Sequence, residues 1–80
     1  MEIQTRFDGS MIGEQRAMLG ISQDDLVFRM RSLGSRKVTK QTVGNWEHGT
    51  TTPAADFLPY LASVLECDVS AFFVSLSLTA

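Results

Sequence analysis

The apolar positions in the first half of the chain recur every three or four residues, which is the period of an amphipathic α-helix. One such stretch runs over residues 11–19, and Gly20 follows it, where glycine commonly ends a helix. A second stretch follows Ser22 and stops at Gly34, with an apolar stripe made of Leu26, Val27, Met30 and Leu33. We therefore expect two helices before residue 35, with Ser10 and Ser22 as their N-caps.

The next stretch, TKQTVGNWEH over residues 39–48, has a helical apolar period but consists largely of poor helix formers. Gly44 lies in its middle and costs roughly 1 kcal/mol relative to alanine. On a helical wheel the N-cap candidate Thr39 shares one side with Val43 and Trp46. The opposite side carries Gln41, Gly44, Asn45 and His48, and Lys40 flanks it. Packing of the inner side would therefore stabilise this helix and leave its outer side for another purpose.

Two more helices are expected after the loop TTTPA: one capped by Asp56 with Pro59 in its first turn, and a short one capped by Asp68. Apolar residues alternate with polar ones in residues 1–8 and 73–80, which predicts terminal strands, with fraying ends as the alternative. The sequence thus predicts a single all-α domain of five helices over residues 1–80, possibly with short terminal β-strands.

Composition changes the picture mainly through charge. The chain has 80 residues and a net charge of −2, yet five of its seven basic residues lie between Leu26 and Trp46, where no acid occurs. They are Arg29, Arg31, Arg36, Lys37 and Lys40. A local field of this kind attracts a polyanion whatever the net charge. On charge alone, an ordinary solvated face explains the cluster equally well.

Catalytic and membrane functions find little support. One histidine and one cysteine cannot form the usual metal sites, and phosphate-binding glycine loops and nucleophile motifs are absent. We therefore expect no enzyme activity, no cofactor and no metal. No apolar run approaches the ~18 residues of a membrane span. The first residues lack the pattern of a secretory signal, so a cytoplasmic protein without a membrane partner is expected.

Several motifs occur in an order that resembles the Cro/cI-type (XRE-like) helix-turn-helix repressors. They are Arg16, GISQDDL at 20–26, TKQTVGNWEHG at 39–49, Pro53 and LASVLECDVSAFF at 61–73. The resemblance covers residues 12–73 and implies a helix-turn-helix core over residues 10–73. One departure is the connection between the second and third helices, about six residues longer than the tight turn of such motifs.

The resemblance, the helical wheel and the basic loop that departs from the family pattern together suggest roles for the third helix and its surroundings. Lys40, Gln41 and Asn45 fall at base-contacting positions, where amides can pair with adenine, and Gly44 would let the backbone approach the major groove. Contacts to the DNA backbone are expected from Gln23, Arg36, Lys37, Thr42, His48, Thr50 and Thr51. Structural roles are expected for Trp46, in the core, and for Arg16 and Glu47, as an ion pair.

The expected function is sequence-specific binding of double-stranded DNA by a small Cro-like transcriptional repressor. Such a regulator, bacterial or phage-encoded by the resemblance, would act as a homodimer on a palindromic operator. The apolar C-terminal residues Phe73, Val74, Leu76 and Leu78 are the expected dimer contact. The alternative is an antitoxin of a toxin–antitoxin pair, whose toxin partner is possible but not favoured.

Overall fold

The structure, a computed structural model, describes residues 3–77 and the side chains of residues 5–75. Its four α-helices are α1 (Ser10–Leu19), α2 (Gln23–Leu33), α3 (Lys40–His48) and α4 (Leu58–Leu65). Short 3₁₀ helices span Ala55–Phe57 and Val69–Phe72, and the strands are β1 (Ile3–Phe7) and β2 (Phe73–Ser77). The described chain is thus mostly helical with a small sheet.

The prediction of a fifth α-helix is wrong. Val69–Phe72 forms one 3₁₀ turn, and Asp68 makes no capping hydrogen bond through its side chain. The turn has no room to lengthen because Phe73 already belongs to β2. A single turn without a side-chain cap is where 3₁₀ geometry commonly replaces an α-helix.

The helix boundaries follow the capping residues at most positions. Ser22 accepts a hydrogen bond from the Asp25 backbone N–H, and the Asp25 carboxylate accepts one from the Ser22 N–H. Hydrogen bonding to the Asp25 carboxylate, first from the Ser22 backbone N–H and then from the Ser22 side chain, lowers the pKa of Asp25. Thr39 Oγ1 accepts a bond from the Thr42 N–H at 3.1 Å. The caps predicted at Ser22 and Thr39 are therefore confirmed.

Two further predicted caps, besides Asp68, are wrong. Ser10 is the first residue inside α1, and Asp8 instead accepts bonds from the Ser10 N–H and hydroxyl, at 3.1 and 2.6 Å. Asp56 lies within the first 3₁₀ helix, so α4 continues from that helix and begins after Phe57 without a side-chain cap. Pro59 is in the first turn of α4, as predicted.

The helices enclose one hydrophobic core. Its fully buried side chains are Ile12, Leu26, Met30, Val38, Val43, Leu61, Leu65 and Phe72. Leu33, expected on the buried stripe of α2, is 51% exposed. It is in the last turn of α2, where it borders a surface groove instead of the core.

The two ends of the described chain pair with each other. β1 and β2 are antiparallel, with Phe7 opposite Phe73 and Ile3 opposite Ser77. The ring of Phe7 anchors this ribbon, because its centroid lies 6.3 Å from that of Phe72 and 5.8 Å from that of Phe73. The predicted terminal strands are thus present. Leu78 lies outside the described residues, and so does the side chain of Leu76.

Candidate nucleic-acid interface

The inner side of α3 is buried as the wheel predicts. Val43 is fully buried and Trp46 is 2% exposed. The Trp46 ring packs against Phe57, with centroids 5.2 Å apart. Trp46 therefore serves the core and is not available to stack on a base.

The outer side of α3 is open. Lys40, Gln41 and His48 are exposed, and Gly44 and Asn45 are partly exposed. The His48 imidazole Nδ1 lies 2.7 Å from the Gly44 carbonyl oxygen, so one ring nitrogen is engaged with its own helix. The residues expected to contact bases form one continuous polar face, which we call the α3 outer face.

The start of α2 lies beside this face. A Cβ placed on Gly44 would be 4.0 Å from Gln23 Nε2, so the Gln23 amide ends next to the glycine. The first turn of α2 also has backbone N–H groups without helical partners, a feature that favours anions. The structure therefore brings the Gln23 amide close to Gly44 on the α3 outer face.

One acid to which the sequence analysis gives no role, Asp24, also lies beside the α3 outer face. Asp24 Oδ2 lies 3.7 Å from Lys40 Nζ, and both side chains are more than half exposed. An exposed pair of this kind contributes ~0–1 kcal/mol, so a stronger anion can displace Asp24 from Lys40. The sequence shows an acid in the first turn of α2, but its position beside Lys40 depends on how α2 packs against α3.

The long connection between α2 and α3 is fixed at both ends. The Arg31 Nε donates to the Val38 carbonyl at 2.8 Å, and the Ser35 N–H donates to the Met30 carbonyl at 3.0 Å. Arg36 and Lys37 lie between these anchors and are exposed. Arg31 therefore holds the loop, while Arg36 and Lys37 are free to contact another molecule.

The remaining expected backbone contacts differ in availability. Thr50 and Thr51 are exposed after α3, where the Thr50 N–H donates to the Asn45 carbonyl at 2.9 Å. Thr42 is half-buried, and its Oγ1 lies 2.8 Å from Thr39 Oγ1. The Thr42 hydroxyl is thus already engaged at the helix start.

A two-pronged ion pair supports the end of α3. The Arg16 Nε and an Arg16 terminal nitrogen each donate to the Glu47 carboxylate at 2.9 Å, and the other terminal nitrogen donates to the Ile21 carbonyl. The hydrogen bonds with Glu47 raise the pKa of Arg16. The predicted pairing of Arg16 with Glu47 is present, and it ties α3 to α1 and to the α1–α2 connection.

No group of three or more potential metal-ligating side chains occurs within residues 3–77. Burial, and then Asp68, raise the pKa of the Cys67 thiol, which disfavours the reactive thiolate. None of the described helices combines the length and the apolar character that crossing a membrane demands.

Comparison of the chain with models of protein families, with curated proteins and with solved structures gave no match.

Proposed function

We propose that this protein binds double-stranded DNA in a sequence-specific manner, as a small helix-turn-helix transcriptional regulator of the repressor type. The single observation that carries the proposal is the α3 outer face. The α3 segment forms a helix although it is rich in poor helix formers. Its inner side is fully packed, and its amides, glycine and lysine lie on the outer side. In this proposal α3 is the recognition helix and enters the major groove.

Each group on the face has a defined task. Gln41 and Asn45 pair with base edges, Lys40 donates to guanine acceptors, and Gly44 leaves space for close approach. Phosphates are bound by Gln23 on one side and by Arg36 and Lys37 on the other. The expected contacts of His48, Thr50 and Thr51, at the end of α3, also go to the DNA backbone.

Asp24 provides a test that depends on geometry and not on the operator sequence. Asp24→Asn removes an acid beside Lys40, so it should tighten binding to every duplex. The control Asp68→Asn makes the same change in net charge at an exposed position before the second 3₁₀ helix. Fluorescence anisotropy with labelled random-sequence duplexes at low salt measures both variants.

We expect Asp24→Asn to bind about two- to fivefold more tightly than the wild type, and Asp68→Asn to match the wild type. No binding of any duplex at low salt would contradict the proposal. Equal gains in affinity for the two variants would show that binding depends on the net charge of the protein and not on the α3 outer face.

We further propose that the regulator acts as a homodimer on two half-sites about one helical turn, ~34 Å, apart. The C-terminal strand is the expected contact because an exposed apolar strand needs cover. Pairing with β1 supplies that cover along one edge of β2 within the same chain. The strand contact, formed by Phe73, Val74, Leu76 and Leu78, is one proposed dimer contact, and deletion of residues 74–80 tests it. A truncated chain that still forms the dimer and binds the operator unchanged would exclude this contact.

A further inference from the structure

A groove lies between the C-terminal half of α2 and the end of α4, apart from the residues assigned to DNA. It is shallow and open to solvent, with a volume of about 490 Å³, and its lining includes the apolar Phe28, Leu33 and Val64 and the charged Arg29 and Glu66. We call it the α2–α4 groove.

The groove exposes apolar surface that the fold itself does not use. Phe28 is 71% exposed and Leu33 is 51% exposed, although both are large apolar side chains. The other strongly exposed one in the described chain is Met18, which does not line the groove. Two exposed apolar residues in one concave site form a patch of the kind that marks an interaction surface.

The backbone at Glu66 adds an independent observation. α1, α2 and α3 each end in a glycine with left-handed backbone, but α4 ends in Glu66, with φ 55°. Among the described residues Glu66 is the one non-glycine residue with positive φ. Glycine would adopt this conformation without steric strain, whereas Glu66 carries a Cβ there. Strained positions of this kind cluster at binding sites, which suggests a use for the Glu66 side chain.

The two charges in the groove form no close ion pair within residues 5–75. The ion pairs there are Arg16 with Glu47 and Lys40 with Asp24. Arg29 is near enough to Asp25 to help, after Ser22, to lower the pKa of that carboxyl, but it does not bond to it. The groove thus combines an exposed aromatic ring, an apolar surface, one cation and one anion.

We infer that the α2–α4 groove binds the same groove of a second copy of this chain. A contact between two copies related by a twofold axis must be self-complementary. This surface has an aromatic ring and an apolar area to receive it, and it has both a cation and an anion. Phe28 enters the partner's groove, Arg29 faces the partner subunit's Glu66, and the twofold axis repeats both contacts. The contact leaves the α3 outer face of each copy open. It does not depend on the proposed DNA binding.

The first test is sedimentation equilibrium of the full chain without DNA. We expect a reversible dimer, and we expect Phe28→Glu to lower its association constant at least about tenfold, as for an aromatic anchor. Met18→Glu is the matched control and should leave association unchanged, while circular dichroism confirms that both variants fold. A wild type that stays monomeric up to about 1 mM, or equal association of the two variants, would overturn the inference.

The second test exchanges the charges. Arg29→Glu places two acids in each groove and Glu66→Arg places two cations, so each variant alone should associate more weakly than the wild type. Mixed together, they should form a heterodimer in which both ion pairs are restored. A mixture that associates no better than its components contradicts the inference. So does a dimer that only the deletion of residues 74–80 dissociates, because the strand contact would then account for it.

Discussion

At the scale of single residues, two glycines show how a missing side chain can serve different ends. A Cβ on Gly9 would lie 1.7 Å from the Trp46 carbonyl oxygen, so Gly9 lets the start of α1 pack against the backbone of α3. A Cβ on Gly44 would have the Gln23 amide as its nearest neighbour, at 4.0 Å. The fold requires the first glycine but does not require the second.

This contrast leads to opposite predictions for the two positions. Gly44→Leu should raise the free energy of unfolding by about 0.5–1 kcal/mol, because a good helix former replaces glycine inside α3. Gly9→Ala should lower it by about 1–3 kcal/mol or more, because backbone atoms must move. Urea denaturation measures both. A stabilising Gly9→Ala substitution would refute the close packing of α1 on α3.

Glu66 permits a third prediction at this scale. Glu66→Gly should raise the free energy of unfolding of the monomer by about 1 kcal/mol, since the left-handed backbone at φ 55° no longer carries a Cβ. The same substitution should weaken self-association, because the anion of the α2–α4 groove is lost. Denaturation at low protein concentration separates the two effects. A loss of stability there would mean that the side chain supports its own fold.

At the scale of elements, the sequence correctly predicts helix boundaries that are set by local hydrogen bonds. It does not predict boundaries that are set by contacts with other elements. Ser22 and Thr39 act as caps because their hydroxyls accept backbone bonds within one turn. The segment after Asp68 carries a similar signal but ends in a 3₁₀ turn, because the strand that follows is held by β1 across the whole chain. Pairing between strands so far apart in the sequence cannot be recognised from the residues around Asp68.

The candidate site shows the same division. The wheel correctly predicts which side of α3 is buried, because Trp46 and Val43 are large enough to decide it. It gives no indication that Asp24 lies near Lys40 or that Phe28 and Leu33 share a groove with α4. Those contacts depend on how helices pack, which the period of one helix does not contain.

The loop between α2 and α3 gives a prediction for this scale. Arg36→Ala and Lys37→Ala should each weaken binding of all duplexes by a similar factor and reduce the slope of log K against log salt by about one unit. Arg31→Ala should differ, because it releases the Val38 carbonyl and loosens the loop. Binding titrations over a range of salt provide the slopes. A changed sequence preference in Arg36→Ala or Lys37→Ala would contradict the phosphate role.

At the scale of the whole molecule, the ribbon of β1 and β2 joins the two ends of the described chain and rests on the core through Phe7. A two-stranded ribbon is marginal in water unless it packs against other elements. The Asp8 N–H adds a hydrogen bond to the Phe72 carbonyl at 2.7 Å where the ribbon meets α1. The contacts of Phe7 and Asp8 thus attach the ribbon to the helices at the end nearest α1.

Phe7→Ala should accordingly lower the free energy of unfolding by about 1–3 kcal/mol, less than for a fully buried phenylalanine because Phe7 is half-buried. Thr5→Ala, on the same strand but exposed, should cost much less. Chemical denaturation of both variants measures the difference. Equal losses would show that the ribbon is not anchored through Phe7.

The central claim is that the α3 outer face binds specific base pairs, and selection of bound sequences from a random duplex library tests it most directly. The wild type should enrich one motif, repeated in inverted orientation about one helical turn, ~34 Å, apart. Asn45→Ala and Gln41→Ala should each bind that motif about 1–3 kcal/mol more weakly and lose preference at one or two base pairs. Gly44→Leu should fold and fail to bind it. Enrichment of no motif by the wild type, or unchanged binding of the motif by Gly44→Leu, would contradict the account.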